Sequence, residues 1–293
     1  ASLSSICGSG KAGGVTGTTD PVGDPFDIDY VAHEMGHQLG GNHTQNNNCN
    51  RSTNNAIEPG SASTIMGYAG ICAPDVQNNS DAYFHANSIR EMYTTITGSG
   101  NCGLNLASGN NEPTADAGLD KTIPKETPFA LTGIGTDPDG DAITYSFEQM
   151  DKEVGVMPPR PTNPSGPMFR SLKPSTVATR YFPRLSTIVE GYDPTMINSN
   201  DYRSWEKLSS VNRVLNFSLL VRDNNAFGGQ STRDDIKLTV TTSAGPFIVT
   251  SQNVDNVIWE LGKPATITWN VANTVAAPVS TPNVQILLSK DNG

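Results

Sequence analysis

The chain has 293 residues, a formal net charge of −10 and only 16% charged side chains, so most of its polarity comes from Asn, Ser, Thr, Gly and Pro. That length accommodates about two domains, and the composition favours loops and strands over long helices. The lack of any Lys/Arg block argues against nucleic acid or anionic membrane as the main partner, and no apolar run is long enough to span a bilayer.

In chain order, the opening ASLSSICGSG has neither a basic start nor an apolar core. It is no signal peptide, and the chain reads as processed or truncated. Residues 1 to about 105 combine Gly-rich loops, at most one short strand around Ser2–Ile6, and two helices, over Ile28–Leu39 and Ser80–Thr97. The first takes Asp27 or Asp29 as its N-terminal acid and Gly40 as its C-terminal glycine. SGNNEP closes a linker over 106–113. The periodicity then changes to alternation. AITYSFEQ points Ile143, Tyr145 and Phe147 one way, LNFSLLVRD does so with Leu215, Phe217, Leu219 and Val221, and IKLTV with Ile236, Leu238 and Val240. This predicts a β-sandwich over 114–243. Within it, the Pro-rich insert 152–212 is too long for an ordinary loop, so it is either functional or packed on a neighbour. From 244 to 293 a second sandwich begins, with PFIVTS, ATITWNV and VQILLS as strands. A sandwich takes about seven strands, so this unit reads as cut off.

Three of the four histidines fall in VAHEMGHQLGGNH, residues 31–43. On a helix His33 and His37 share one face a turn apart, where both imidazoles can reach one ion. Glu34 stands beside them as the base that takes a proton from metal-bound water. Gly40-Gly41, free to adopt positive φ, turns the chain so that His43 becomes a third ligand. Three neutral imidazoles leave a fourth tetrahedral position on Zn2+ for water, the pattern of a catalytic site.

The string H-E-M-G-H-Q-L-G-G-N-H resembles the metzincin signature, and TIMGY at 64–68 resembles the methionine turn that accompanies it. The resemblance implies that Met66 is an apolar floor beneath the ligands. It also implies that Tyr68 is similar to the astacin and serralysin tyrosine that approaches the metal; the competing reading makes Tyr68 a core aromatic with a paired hydroxyl. None of the four cysteines lies in a CxxC pair, which points to two disulfides, an oxidising compartment and three possible pairings. Their layout resembles that of the reprolysins (adamalysin-type), including a bacterial secreted group, and this likeness implies Cys7–Cys102 and Cys49–Cys72. Two features depart from the reprolysin pattern: Thr44 follows the third histidine where Asp is usual, and Met-x-Tyr is present. The later segments resemble cadherin-like or PKD-like appendages.

The fold class expected from this is multidomain: the α+β C-terminal part of a metzincin catalytic domain (1–105), followed by all-β immunoglobulin-like sandwiches. In metzincins a substrate-holding sheet precedes the zinc helix, whereas 32 residues precede His33 here. The resemblance therefore implies a fragment with low activity of its own. The expected function is secreted zinc-dependent endopeptidase acting on protein or peptide substrates. Its competitor is a non-catalytic extracellular adhesion or carbohydrate-binding protein with a vestigial metal site and the sandwiches as its working part; the intact Glu34 argues against this. The sandwiches are expected to bind substrate or cell-surface material. Three further features stand outside this reading. His85 lacks ligand spacing and reads as a hydrogen-bonded helix residue. Asp137, Asp139 and Asp141 in DPDGD form either a Ca2+ loop or a tight turn. Asn42-His43-Thr44 is a glycosylation sequon whose sugar would obstruct the third ligand.

Overall fold

The computed structural model describes residues 3–11, 13–254 and 257–289. The first helical stretch is continuous but not uniform. It comprises α1 (Asp24–Phe26), a π-helical turn (Asp27–Ala32) and α2 (His33–Gln38). It starts four residues before the expected Ile28, because Pro25 presets the first turn and Asp24 places an acid at the helix start. Past Leu39 the chain leaves through Gly40 at φ +102°. Ser4 and Ser5 donate their backbone N–H groups to the carbonyls of His37 and Gln38, both at 3.0 Å. The expected strand near Ile6 is instead a cap on the helix end, and its first residue, Ser2, lies outside the described residues.

The second long helix, α3, spans Ala86–Thr97, shorter than the expected Ser80–Thr97. Its N-cap is His85, whose Nδ1 accepts the N–H of Asn87 at 3.1 Å. Residues 80–85 are non-helical, with a bend at 82–83, and Ser80 N–H donates to Asp29 Oδ1 at 2.7 Å, tying them to the first helical stretch. Both disulfides form as the resemblance implied, Cys7–Cys102 and Cys49–Cys72.

The β-rich segment is built around a four-stranded sheet. Its strands are β1 (Lys121–Pro124), β3 (Thr144–Gln149), β5 (Arg213–Arg222) and β6 (Ser231–Thr241), in the order β1-β6-β5-β3. β1 runs parallel to β6 and the other pairs are antiparallel. A two-stranded antiparallel sheet, β2 (Phe129–Thr132) with β4 (Thr179–Phe182), faces it. The core contains Phe147, Phe169, Phe182, Leu215, Phe217, Leu219, Val221, Ile236, Leu238 and Val240, including the inward residues that the alternation marked on β5 and β6. β4 comes from the Pro-rich insert, so part of that insert is sheet.

Alternation fails along the second half of β5, where Ser218 and Leu220 on the opposite face are also buried. That face is covered by the N-terminal segment. Glu148 on β3 accepts the N–H of Ala86 at 2.5 Å, and Arg222 donates to Phe84 O at 2.9 Å. The insert packs on the same neighbour. Trp205, fully buried, has ring atoms 2.5 Å from where a Cβ on Gly60 would stand. Asn46 accepts the N–H of Gly155 at 2.9 Å and donates to Glu153 O at 3.0 Å. The link between the two regions is exposed from 103 to 109, but Asn110 and Asn111 are already bonded to Asp223 and Asp139.

Beyond residue 244 the regular structure is sparse: β7 (Ile248–Val249) pairs with β8 (Trp269–Asn270). The expected strand over VQILLS is absent among its described residues, and Ile286, Leu287 and Leu288 are exposed. An alternating segment needs a facing layer to hold it as a strand, and a lone pair of strands is marginal in water.

Candidate metal centre

α2 carries His33 and His37 on one face, and the turn at Gly40 brings back His43. The expectation of positive φ at both glycines holds only for Gly40. Gly41 is needed for close approach instead: its N–H donates to Gly36 O at 2.8 Å, and a Cβ there would lie 3.1 Å from that oxygen. One nitrogen from each of the three rings lies within 4.8 Å of the others.

Each imidazole is oriented by its other nitrogen. His33 Nδ1 donates to Ile65 O at 2.7 Å, His37 Nδ1 to Gly41 O at 2.8 Å, and His43 Nδ1 to Asn50 O at 2.7 Å. A carbonyl can only accept, so Nδ1 of each ring carries a proton, and in the neutral imidazole this leaves Nε2 with a lone pair. His37 Nε2 and His43 Nε2 face each other at 2.9 Å. Two facing lone pairs repel unless a cation lies between them. A neutral donor set converging on one point, held by backbone carbonyls behind it, is what a divalent metal requires. Burial, above all, pushes His33 down to about 4, against the pull of its Ile65 bond, and burial likewise lowers His43. Both rings therefore stay neutral near pH 7, ready to ligate.

Met66 is fully buried beneath the helix, with its sulfur where a Cβ on Gly36 would stand. Its turn is bonded to two of the ligands' segments. Ile65 O takes the proton of His33, and Met66 O takes the N–H of Thr44, next to His43, at 3.1 Å. Tyr68 is partly exposed, its ring centroid 4.6 Å from that of His43 and 5.8 Å from that of His33. Its hydroxyl accepts from Asn50 Nδ2 at 3.2 Å. Tyr68 thus flanks the cluster and is not a core aromatic. Glu34, partly exposed, lies on α2 next to His33.

Three residues of this centre were not marked in the sequence. Asn50, at φ +53°, serves both His43 and Tyr68. Glu91 on α3 clamps Asn42, accepting its backbone N–H and its side-chain amide, each at 2.9 Å. The sequon asparagine is thereby engaged. Glu58, buried, accepts the hydroxyl of Thr44 at 2.6 Å.

The remaining candidates lie elsewhere. His85 is the buried cap of α3, hydrogen-bonded as expected. The oxygens of Asp137, Asp139 and Asp141 gather within 4.8 Å, but each carboxylate already accepts hydrogen bonds from the loop or from Asn111 and Asn225 beside it. Asp137 accepts the N–H groups of Asp139 and Asp141 at 2.9 and 3.0 Å, and Asp139 accepts Asn111 N–H at 2.7 Å. With Gly140 at φ +83°, this is the tight turn, and the calcium reading has no support. Among the described residues no helix is long and apolar enough to cross a membrane.

No curated protein matches the chain. Residues 1–101, which contain the whole three-histidine centre and its methionine turn, match the family model of the reprolysin-like metallopeptidases, family M12B. That match and the convergent histidines are consistent with a reprolysin-like metzincin in this N-terminal segment.

Proposed function

We propose that the protein is a secreted zinc endopeptidase that hydrolyses internal peptide bonds of protein substrates. The observation that carries this reading is the convergence of the three Nε2 lone pairs, with every Nδ1 spent on a backbone carbonyl. When bound, zinc supplies polarisation of a water and of the scissile carbonyl. His33, His37 and His43 would hold it. Glu34, one residue from His33 on α2, takes the proton of the attacking water and passes it to the leaving amine. Asn50 donates to the Tyr68 oxygen, which leaves the phenolic O–H free to steady the oxyanion. No side-chain nucleophile is required.

Two disulfides and no free cysteine among the described residues support an extracellular setting. The layout proposed with this function is the catalytic segment 1–105, a linker at 106–113, an immunoglobulin-like sandwich over 114–243 and a second sandwich from 244. The two facing sheets around one aromatic core support the first sandwich.

The test is digestion of an unbiased peptide library by the full-length protein, with zinc content measured alongside. Internal cleavage that a chelator abolishes, zinc restores and Glu34→Gln lacks is the expected result. A folded, zinc-loaded protein that cleaves nothing, or a Glu34→Gln variant that cleaves equally well, overturns the proposal.

A further inference from the structure

Glu58 is 1% exposed, and among the described residues no lysine, arginine or histidine forms an ion pair with it. A buried carboxylate without a cation is unfavourable unless donors surround it. Here they do. Oε2 accepts the hydroxyls of Thr44 at 2.6 Å and Thr64 at 2.5 Å, and Oε1 accepts the N–H of Ser63 at 3.2 Å and its hydroxyl at 3.4 Å. The backbone ties Glu58 itself to the segment of Thr44: Glu58 N–H donates to Thr44 O at 3.0 Å, and Asn46 N–H donates to Glu58 O at 3.0 Å.

These donors stand next to the atoms that orient two of the three imidazoles. Thr44 follows His43. Thr64 precedes Ile65, whose carbonyl takes the Nδ1 proton of His33. Only an acceptor-only group can serve donors from both segments on both of its oxygens, because an amide in its place would set N–H against N–H or O–H on one side. Ser63 extends the arrangement to the insert, its single hydroxyl proton shared between Glu58 Oε1 at 3.4 Å and the nearer Ser171 O at 3.1 Å.

We propose that Glu58 is a positioning residue of the metal centre: its carboxylate locks the segment bearing His43 to the methionine turn and thereby sets the mutual orientation of His43 and His33. The proposal rests on the reading of the three histidines as metal ligands. It assigns Glu58 no contact with substrate or metal.

The test compares metal affinity and the visible spectrum of the cobalt(II)-loaded protein for wild type, Glu58→Gln, Thr44→Val and Thr44→Ser, with unfolding midpoints measured in parallel. Loss of a partner that orients a ligand weakens metal binding by about ten- to a hundredfold. Glu58→Gln and Thr44→Val should show such a loss together with a shifted cobalt band, while Thr44→Ser, which keeps the hydroxyl, should match wild type in both. A purely structural role would lower the midpoint and leave the band and the affinity unchanged. Should Glu58→Gln fail to fold, the near-isosteric Thr44→Val against Thr44→Ser decides the matter. Wild-type spectra and affinities in the folded variants overturn this proposal alone, whereas failure of wild type to bind zinc or cobalt(II) overturns the metal reading with it.

Discussion

Asn50 holds His43 by its carbonyl, at 2.7 Å from Nδ1, and through its side-chain amide holds the hydroxyl of Tyr68, at 3.2 Å. One residue therefore sets a ligand and the aromatic beside it, and its two functions can be separated. At φ +53° glycine is tolerated but alanine costs about 1–2 kcal/mol. Asn50→Gly should keep metal affinity while lowering kcat, because only the amide bond to Tyr68 is lost. Asn50→Ala should lower the unfolding midpoint and weaken zinc binding as well. Kinetics with zinc titration on both variants checks the split; equal zinc loss in both would reject it.

Removing the base should leave the ligands intact. Glu34→Gln is expected to retain wild-type zinc content and lose about 10²–10⁴-fold in kcat/KM, whereas His43→Ala should lose zinc on dialysis. Elemental analysis beside kinetics distinguishes them. Zinc at 100 times its Kd should also stabilise the fold by about 2.7 kcal/mol, read as a rise in Tm that a chelator reverses.

Gly36→Ala sets two effects against each other. Helix propensity alone favours alanine by about 1 kcal/mol. The Met66 sulfur, however, occupies the place of the added methyl, and overpacking a core costs about 1–3 kcal/mol. The steric term wins, so the variant should unfold at lower denaturant than wild type and bind zinc more weakly. A stabilised variant would show that Met66 moves aside freely.

Lys207 gives a pH-dependent expectation. Its side chain is buried, with Nζ bonded to Asp193 O at 2.8 Å, and burial pushes its pKa down from 10.5 to about 8. Below pH 8 the fold carries the full cost of the charge. Between 8 and 10.5 the folded chain gives up the proton while the unfolded chain keeps it, so stability rises with pH. Urea midpoints should show this rise in wild type relative to Lys207→Met; parallel pH profiles would contradict it.

What the sequence reveals of this centre is what lies close along the chain. His33, His37 and Glu34 follow from helical spacing, and Met66 from a five-residue string. Asn50, Glu58 and Glu91 are invisible by the same logic, since each acts through loop contacts without periodicity, and Glu91 lies 49 residues from the Asn42 it clamps. The fold divides similarly. Alternation disclosed β5 and β6, but Ser146, Glu148 and Ser218 resemble solvent-facing positions and are buried because the N-terminal segment covers them. The start of α3 is hidden in the sequence because its cap is a histidine, outside the usual Ser, Thr, Asp and Asn set. β4 was concealed by the prolines around it.

The covering of that sheet face bears on how the chain responds to being cut. Residues 103–109 are exposed and form a ready target for limited proteolysis, yet the halves on either side are joined through Ala86 to Glu148, Phe84 to Arg222, Gly60 to Trp205 and Asn46 to Glu153. A nick there severs the covalent link and leaves these contacts in place. The two fragments should elute together as a noncovalent pair, melt in one transition and separate only in denaturant, so the peptide connection serves to raise the local concentration of each half for the other.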